Sequence, residues 1–176
     1  MISLIIPTPE AMGEFGAMVA SQLTAGDLVA LNGELGAGKT TFTRGLGSAL
    51  GVRGAVTSPT FVLARTHPRD SGAPLVHVDA YRLAGPRDLD DLDIDFEASI
   101  VVVEWAAGML DGVSESWLEI TIERPRGSVE RPDAMTVVGD VDDDAAEGVE
   151  PRRLRVQGFG PRWGSLDWLE RSVWRA

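Results

Sequence analysis

The stretch Gly33-Glu34-Leu35-Gly36-Ala37-Gly38-Lys39-Thr40 satisfies the pattern G-x-x-x-x-G-K-[ST] in full. Before it runs Asp27-Leu28-Val29-Ala30-Leu31-Asn32, a short apolar segment suited to a buried strand. After it, Lys39 to Leu50 has the spacing of an amphipathic helix and stops at Gly51. Strand, glycine-rich loop and helix in this order are the setting a phosphate-binding P-loop requires. The glycines let the backbone curl until successive N–H groups point inward at phosphate oxygens. The helix beginning at Lys39 brings the positive end of its dipole to the same place. Lys39 is expected to reach the β- and γ-phosphates, and the Thr40 hydroxyl to ligate magnesium. The expected ligands are therefore ATP or ADP with Mg2+. The residues expected to hold the nucleotide are Gly33, Glu34, Leu35, Gly36, Ala37, Gly38, Lys39, Thr40 and Thr41.

Outward from this loop, strands and helices alternate. Leu4 to Ile6 reads as a first strand. Thr8-Pro9 resembles an N-cap followed by proline at the first helical position, opening a helix from Pro9 to Leu23. Downstream, strands are expected at Phe61 to Thr66, at Leu75 to Val78 ending on Asp79, and at Ile100 to Val103 ending on Glu104. Pro86 to Ser99 reads as partly helical. Trp117 to Glu123 alternates, Arg153 to Phe159 is its expected antiparallel partner, and Leu166 to Val173 reads as a closing helix. This pattern predicts an α/β fold: one P-loop NTPase-like domain over residues 1–176, with a mostly parallel sheet flanked by helices and a late antiparallel strand pair.

A triphosphate site with magnesium needs an acidic partner at a neighbouring strand end, because ligands bind at the carboxyl ends of parallel strands. Asp79 and Glu104 both qualify. Asp79 reads as a Walker-B-type residue; Glu104 could bind magnesium or orient the attacking water. Lys39, Asp79 and Glu104 are thus the expected catalytic set, and Thr40, Asp79 and Glu104 the expected metal set. Thr57-Ser58-Pro59-Thr60 lies where P-loop NTPases carry a loop that senses the γ-phosphate. His77, alternating with apolar neighbours, reads as structural. Arg44 and Arg82 are candidates for an arginine finger, with ion pairing as the plainer role for each.

Composition narrows the class. The net charge is −11, but residues 127–150 hold eight acids and one arginine, so that segment carries −7 and the rest −4. The segment reads as a flexible, solvated acidic insertion. No arginine-rich, aromatic-interleaved stripe appears, so autonomous RNA binding is not expected. The chain has no cysteine, which excludes Cys-type structural zinc and leaves no disulfide to expect. Neither a signal peptide nor a membrane-spanning run is present, and a soluble cytoplasmic protein is expected. Fifteen arginines accompany one lysine, Lys39. With no second lysine, the Asn-Lys-x-Asp base reader of a GTPase cannot exist here. The Leu-Ser-Gly-Gly-type signature of an ABC ATPase is also missing, and the chain is short for an AAA-type ATPase. A small-molecule kinase remains as an alternative, and so does a nucleotide-dependent binding module.

Four stretches in order carry a more specific resemblance: Gly33 to Gly45, Ser58-Pro59-Thr60-Phe61, His77-Val78-Asp79-Ala80-Tyr81-Arg82-Leu83, and Val103-Glu104-Trp105. Together they resemble the TsaE (YjeE) family of bacterial ATPases, over about Ile5 to Glu123 and weakly again near Arg152. The resemblance implies a weak ATPase needed to form threonylcarbamoyladenosine at position 37 of tRNAs that read codons beginning with adenine. It implies TsaB and TsaD as partners, with tRNA met only through their complex. It also implies that Trp105 lies near the nucleotide, that Ala11 approaches the adenine through backbone atoms, and that Asp79 contacts magnesium directly or through water. The insertion at 127–150 is longer than the family's usual connection.

Overall fold

The computed structural model describes residues 1–124, 150–170 and 172–176; most of the acidic insertion lies outside them. Along the chain come β1 (Ile2–Ile6), α1 (Pro9–Ala20), β2 (Leu28–Gly33), α2 (Lys39–Leu50), β3 (Ala64–His67), β4 (Leu75–Asp79), α3 (Pro86–Asp90), β5 (Ile100–Glu104), β6 (Trp117–Glu123), β7 (Arg152–Phe159) and α4 (Asp167–Glu170). The seven strands make one sheet in the order β1-β7-β6-β2-β5-β4-β3. The central strands β6, β2, β5 and β4 are parallel. The β6–β7, β7–β1 and β3–β4 pairs are antiparallel. The expected fold class is the observed one, and the late antiparallel pair takes β1 as a third member.

Side-chain alternation decides what each face meets. Val29 and Leu31 of β2, Leu75 of β4, and Ile100 and Val102 of β5 join one apolar cluster with α1 and α2. Leu28, Ala30, Val76, Val78, Val101 and Val103 point the other way, against Leu89 of α3 and the segment carrying Ala106, Met109 and Leu110. By the same parity, His77, Asp79 and Glu104 share the face of α1 and α2. Thr8 caps α1, its hydroxyl accepting from the Ala11 N–H at 3.1 Å, and Pro9 follows at the first helical position. The two helices lie unusually close. A Cβ at Gly45 would meet the Gly13 carbonyl oxygen and sit 2.5 Å from the Gly13 Cα, while one at Gly16 would sit 2.9 Å from the Leu46 nitrogen. Glycine is therefore required at Gly16 and Gly45 by approach rather than by dihedral angle.

Three expected elements differ. Phe61 to Val62 is not strand. The Val62 and Leu63 N–H groups both donate to the Pro59 carbonyl, Leu63 takes φ 65°, and Phe61 is 92% exposed, so β3 starts only at Ala64. The first helix ends at Ala20 rather than Leu23, its last residues closing as i→i+3 turns (Gln22 onto Val19, Leu23 onto Ala20). The closing helix keeps only Asp167–Glu170. The chain there turns to run beside β1 instead, where the Ile5 N–H donates to the Trp174 carbonyl at 2.8 Å.

One ion pair ties the late region to β2. The Arg162 guanidinium donates to both Asp27 oxygens (3.0 and 3.1 Å) and to the Gln22 carbonyl (2.6 Å). Asp27 is buried, and its carboxylate also accepts from the Thr24 N–H and hydroxyl. Arg162→Ala strands that carboxylate with fewer donors and is expected to cost about 1–2 kcal/mol, the guanidinium being partly solvated. A chemical denaturation midpoint unchanged from that of the parent protein would refute this.

Candidate functional site

The loop between β2 and α2 curls as the glycine spacing predicts. Gly38, at φ 114°, occupies the N-cap of α2 with no side chain over the helix end, leaving the first-turn N–H groups facing outward. Lys39 is 5% exposed. Its ammonium donates to the carbonyls of Gly33 (2.8 Å) and Glu34 (3.1 Å) and lies 3.9 Å from the centroid of the Trp105 ring. Burial pushes the Lys39 ammonium down from its ordinary pKa, while Glu104 and then Asp79 pull it back up. Leu35, at the tip of the loop, is 90% exposed.

Both candidate carboxylates face this point. Asp79 and Glu104 are register partners at the ends of parallel β4 and β5, and both are buried. Their surroundings differ. Glu104 stands on the strand next to β2, and its Oε1 accepts from the Thr40 hydroxyl at 3.3 Å. Asp79 is one strand further out. It accepts from the Thr60 hydroxyl at 2.6 Å and from the Tyr81 N–H at 3.0 Å. Glu104 thus stands on the strand that pairs with the P-loop strand, and Asp79, expected as the Walker-B-type residue, stands one strand further out on β4. Thr60, from the proposed sensor loop, is tied to Asp79, and the Arg82 guanidinium holds the Thr60 carbonyl at 2.6 Å. Arg44 donates to the Val56 carbonyl at 3.1 Å. Both finger candidates thus anchor loops.

Trp105 has φ 61°, a left-handed value that is costly for a bulky residue. This turn, with its N–H donating to the Leu31 carbonyl at 2.8 Å, brings the indole over Lys39 and 5.3 Å from the Tyr81 ring. A cleft of about 520 Å3 opens on the other side of the loop. One wall is the first turn of α1 (Thr8, Pro9, Met12), the floor is Gly36 to Gly38 with Thr41, and the far wall is Arg124, Glu150 and Arg152. Ala11 does not line it, and its N–H is taken by Thr8. Arg124 donates to Glu150 at 2.7 Å and holds that carboxyl below its usual range.

Among the described residues, no three His, Asp or Glu side chains cluster as a metal cage. A hydroxyl beside one carboxylate is instead the donor set that suits Mg2+, a hard cation that takes its other ligands from phosphates and water. His77, read from the sequence as structural, is fully buried and lies 2.9 Å through Nε2 from Glu104 Oε1, a contact the sequence reading did not anticipate. The signal was present, since His77 and Asp79 are two apart on one strand and so share a face. The walls from Met12, Arg124 and Arg152 had no such signal, because they converge only through tertiary packing.

A family model described as "Threonylcarbamoyl adenosine biosynthesis protein TsaE" matches residues 6–131. A Streptomyces coelicolor protein named "tRNA threonylcarbamoyladenosine biosynthesis protein TsaE" is 51% identical over 160 residues, covering 89% of this chain and 96% of that one. A Bacillus subtilis protein of the same name is 36% identical over 132 residues, covering 74% and 82%. The crystal structure of Bacillus subtilis YdiB superposes with a TM-score of 0.62 at 26% identity, covering 92% of this chain and 88% of that one. Among the described residues no helix is long and apolar enough to cross a membrane.

Proposed function

This chain belongs to the TsaE family of tRNA threonylcarbamoyladenosine biosynthesis proteins, and from that premise we propose that it is a magnesium-dependent, slow ATPase. In this reading it serves a TsaB–TsaD transferase that modifies position 37 of tRNAs reading codons that begin with adenine. It meets tRNA only through that complex and acts in the cytoplasm as one domain. The observation that carries the ATPase reading is the convergence of buried Lys39 and Glu104 with half-buried Thr40 at the N-terminus of α2.

Each residue has a task set by its position. The loop N–H groups from Gly36 to Thr41 bind phosphate oxygens along the helix axis. Lys39 exchanges its carbonyl partners for β- and γ-phosphate oxygens and spreads their developing charge. Thr40 and Glu104 would hold Mg2+, with Asp79 as a further or water-mediated contact. The metal, when bound, neutralises charge on the phosphates. Glu104 or Asp79 orients water for in-line attack. The cleft beside Met12 and Arg152 takes the base and ribose. With Arg44 and Arg82 committed to loop carbonyls, the chain lacks a cation poised for the transition state among those two. Unaided turnover is then slow, since such a finger is worth about three to five orders of magnitude.

The test is ATP hydrolysis with Mg2+, alone and with TsaB and TsaD. Stimulation of at least about 10-fold by the pair is expected, and phosphate should go to water. Turnover that ignores the pair would detach the chain from a partner-completed mechanism. Phosphate transfer to a small acceptor would favour the kinase alternative.

A further inference from the structure

His77 lies outside the phosphate loop, yet it is buried completely at the centre of the metal-side machinery. Its register partner is Val102, two pairs below the Asp79–Glu104 rung, and it points to the same face as both acids. Its Nε2 sits 2.9 Å from Glu104 Oε1, the oxygen that also accepts from Thr40. A carboxylate can only accept, so the histidine must donate through Nε2. Its Nδ1 has no hydrogen-bond partner among the described residues. Burying a polar ring with one nitrogen unsatisfied is costly. A purely packing role would be met better by leucine or phenylalanine.

We propose that His77 is a positioning residue. Its Nε2–H fixes the Glu104 carboxylate so that the carboxylate faces Thr40 and the metal position. This rests on the reading of Glu104 and Thr40 as the magnesium pair. Without the donor, the glutamate side chain has three rotatable bonds and Thr40 as its one remaining hydrogen-bond partner among the described residues, so its headgroup is free to swing. Partners that orient a metal-binding carboxylate typically matter about 10- to 100-fold in metal affinity or rate.

Three substitutions separate positioning from packing. Glutamine can present an amide N–H where Nε2 stands; asparagine is too short and reaches only as far as Nδ1; leucine fills space with no donor. The full-length protein would be assayed for the Mg2+ concentration giving half-maximal ATP turnover, for kcat, for metal-free nucleotide binding, and for thermal midpoint. His77→Gln is expected to stay within about threefold of the parent. His77→Leu and His77→Asn are expected to raise the Mg2+ requirement or lower kcat by about 10- to 100-fold, with metal-free nucleotide binding unchanged. A leucine variant with the parent's Mg2+ requirement and kcat, or a glutamine variant no better than leucine, overturns the proposal. If the parent itself turns over no ATP, the functional reading fails on its own. The histidine is then judged by nitrogen NMR of the ligand-free protein: a proton on Nε2 that shifts in Glu104→Gln supports the contact, and a proton on Nδ1 instead overturns it.

Discussion

Lys39→Ala is expected to lower ATP turnover by about two to three orders of magnitude, the scale seen when one preorganised donor to a developing negative charge is removed. The side chain is buried, lies along the inner edge of the loop and is drawn by two carboxylates. No neighbour can replace it, since the chain has no other lysine and the nearby Arg44 and Arg82 are bound to Val56 and Thr60 carbonyls. Lys39→Arg is expected to fail nearly as badly. A guanidinium is planar and wider than an ammonium, and the present site closes around a point charge with two carbonyls and an indole face. The readout is initial-rate hydrolysis at saturating Mg2+, with circular dichroism to confirm the fold. Turnover within threefold of the parent for Lys39→Ala would refute the ATPase assignment to this loop.

The second large effect concerns stability. Gly45→Ala is expected to destabilise by about 2–3 kcal/mol, the range for forcing atoms into a packed contact. For a chain of this size that is roughly 5–10 °C in thermal midpoint. The added Cβ would strike the Gly13 backbone, which cannot rotate away as a side chain could. The helices must part. Because the first turn of α1 walls the cleft beside Gly38 and Thr41, nucleotide affinity should fall with stability. Gly13→Ala supplies the control from the other side of the same contact. A Cβ there meets nothing within 4 Å, and replacing glycine inside a helix gains about 0.5–1 kcal/mol. Equal midpoints for the two variants would show that the helices are not held at glycine distance.

Much of this was legible in the amino-acid order because the signals were local. The strand, loop and helix around Lys39 follow from glycine placement and apolar spacing, and α2 begins and ends at the expected residues. The ends of β4 and β5 were found because apolar runs stopped at acids. What failed depended on partners distant in sequence. Phe61 looked like the start of a strand by type, but Pro59 closes a turn beneath it and Thr60 is drawn to Asp79. Leu166 to Val173 has helical spacing, yet pairing with β1 takes the chain after Glu170. How Asp79 and Glu104 sit relative to the loop also depends on strand order, which no local pattern carries: β5 lies between β4 and the P-loop strand.

The indole held over the Lys39 ammonium makes the molecule its own optical indicator. Indole emission responds to a charge against its face, so any ligand that draws the ammonium elsewhere changes the light from Trp105. The remaining tryptophans report on other places: Trp117 is stacked on Phe159, Trp163 lies under Arg162, and Trp168 and Trp174 pack against the α1–α2 side of the core. A difference spectrum between the parent and Trp105→Phe therefore isolates one lamp beside the phosphate loop, and a titration can be followed without attaching a dye.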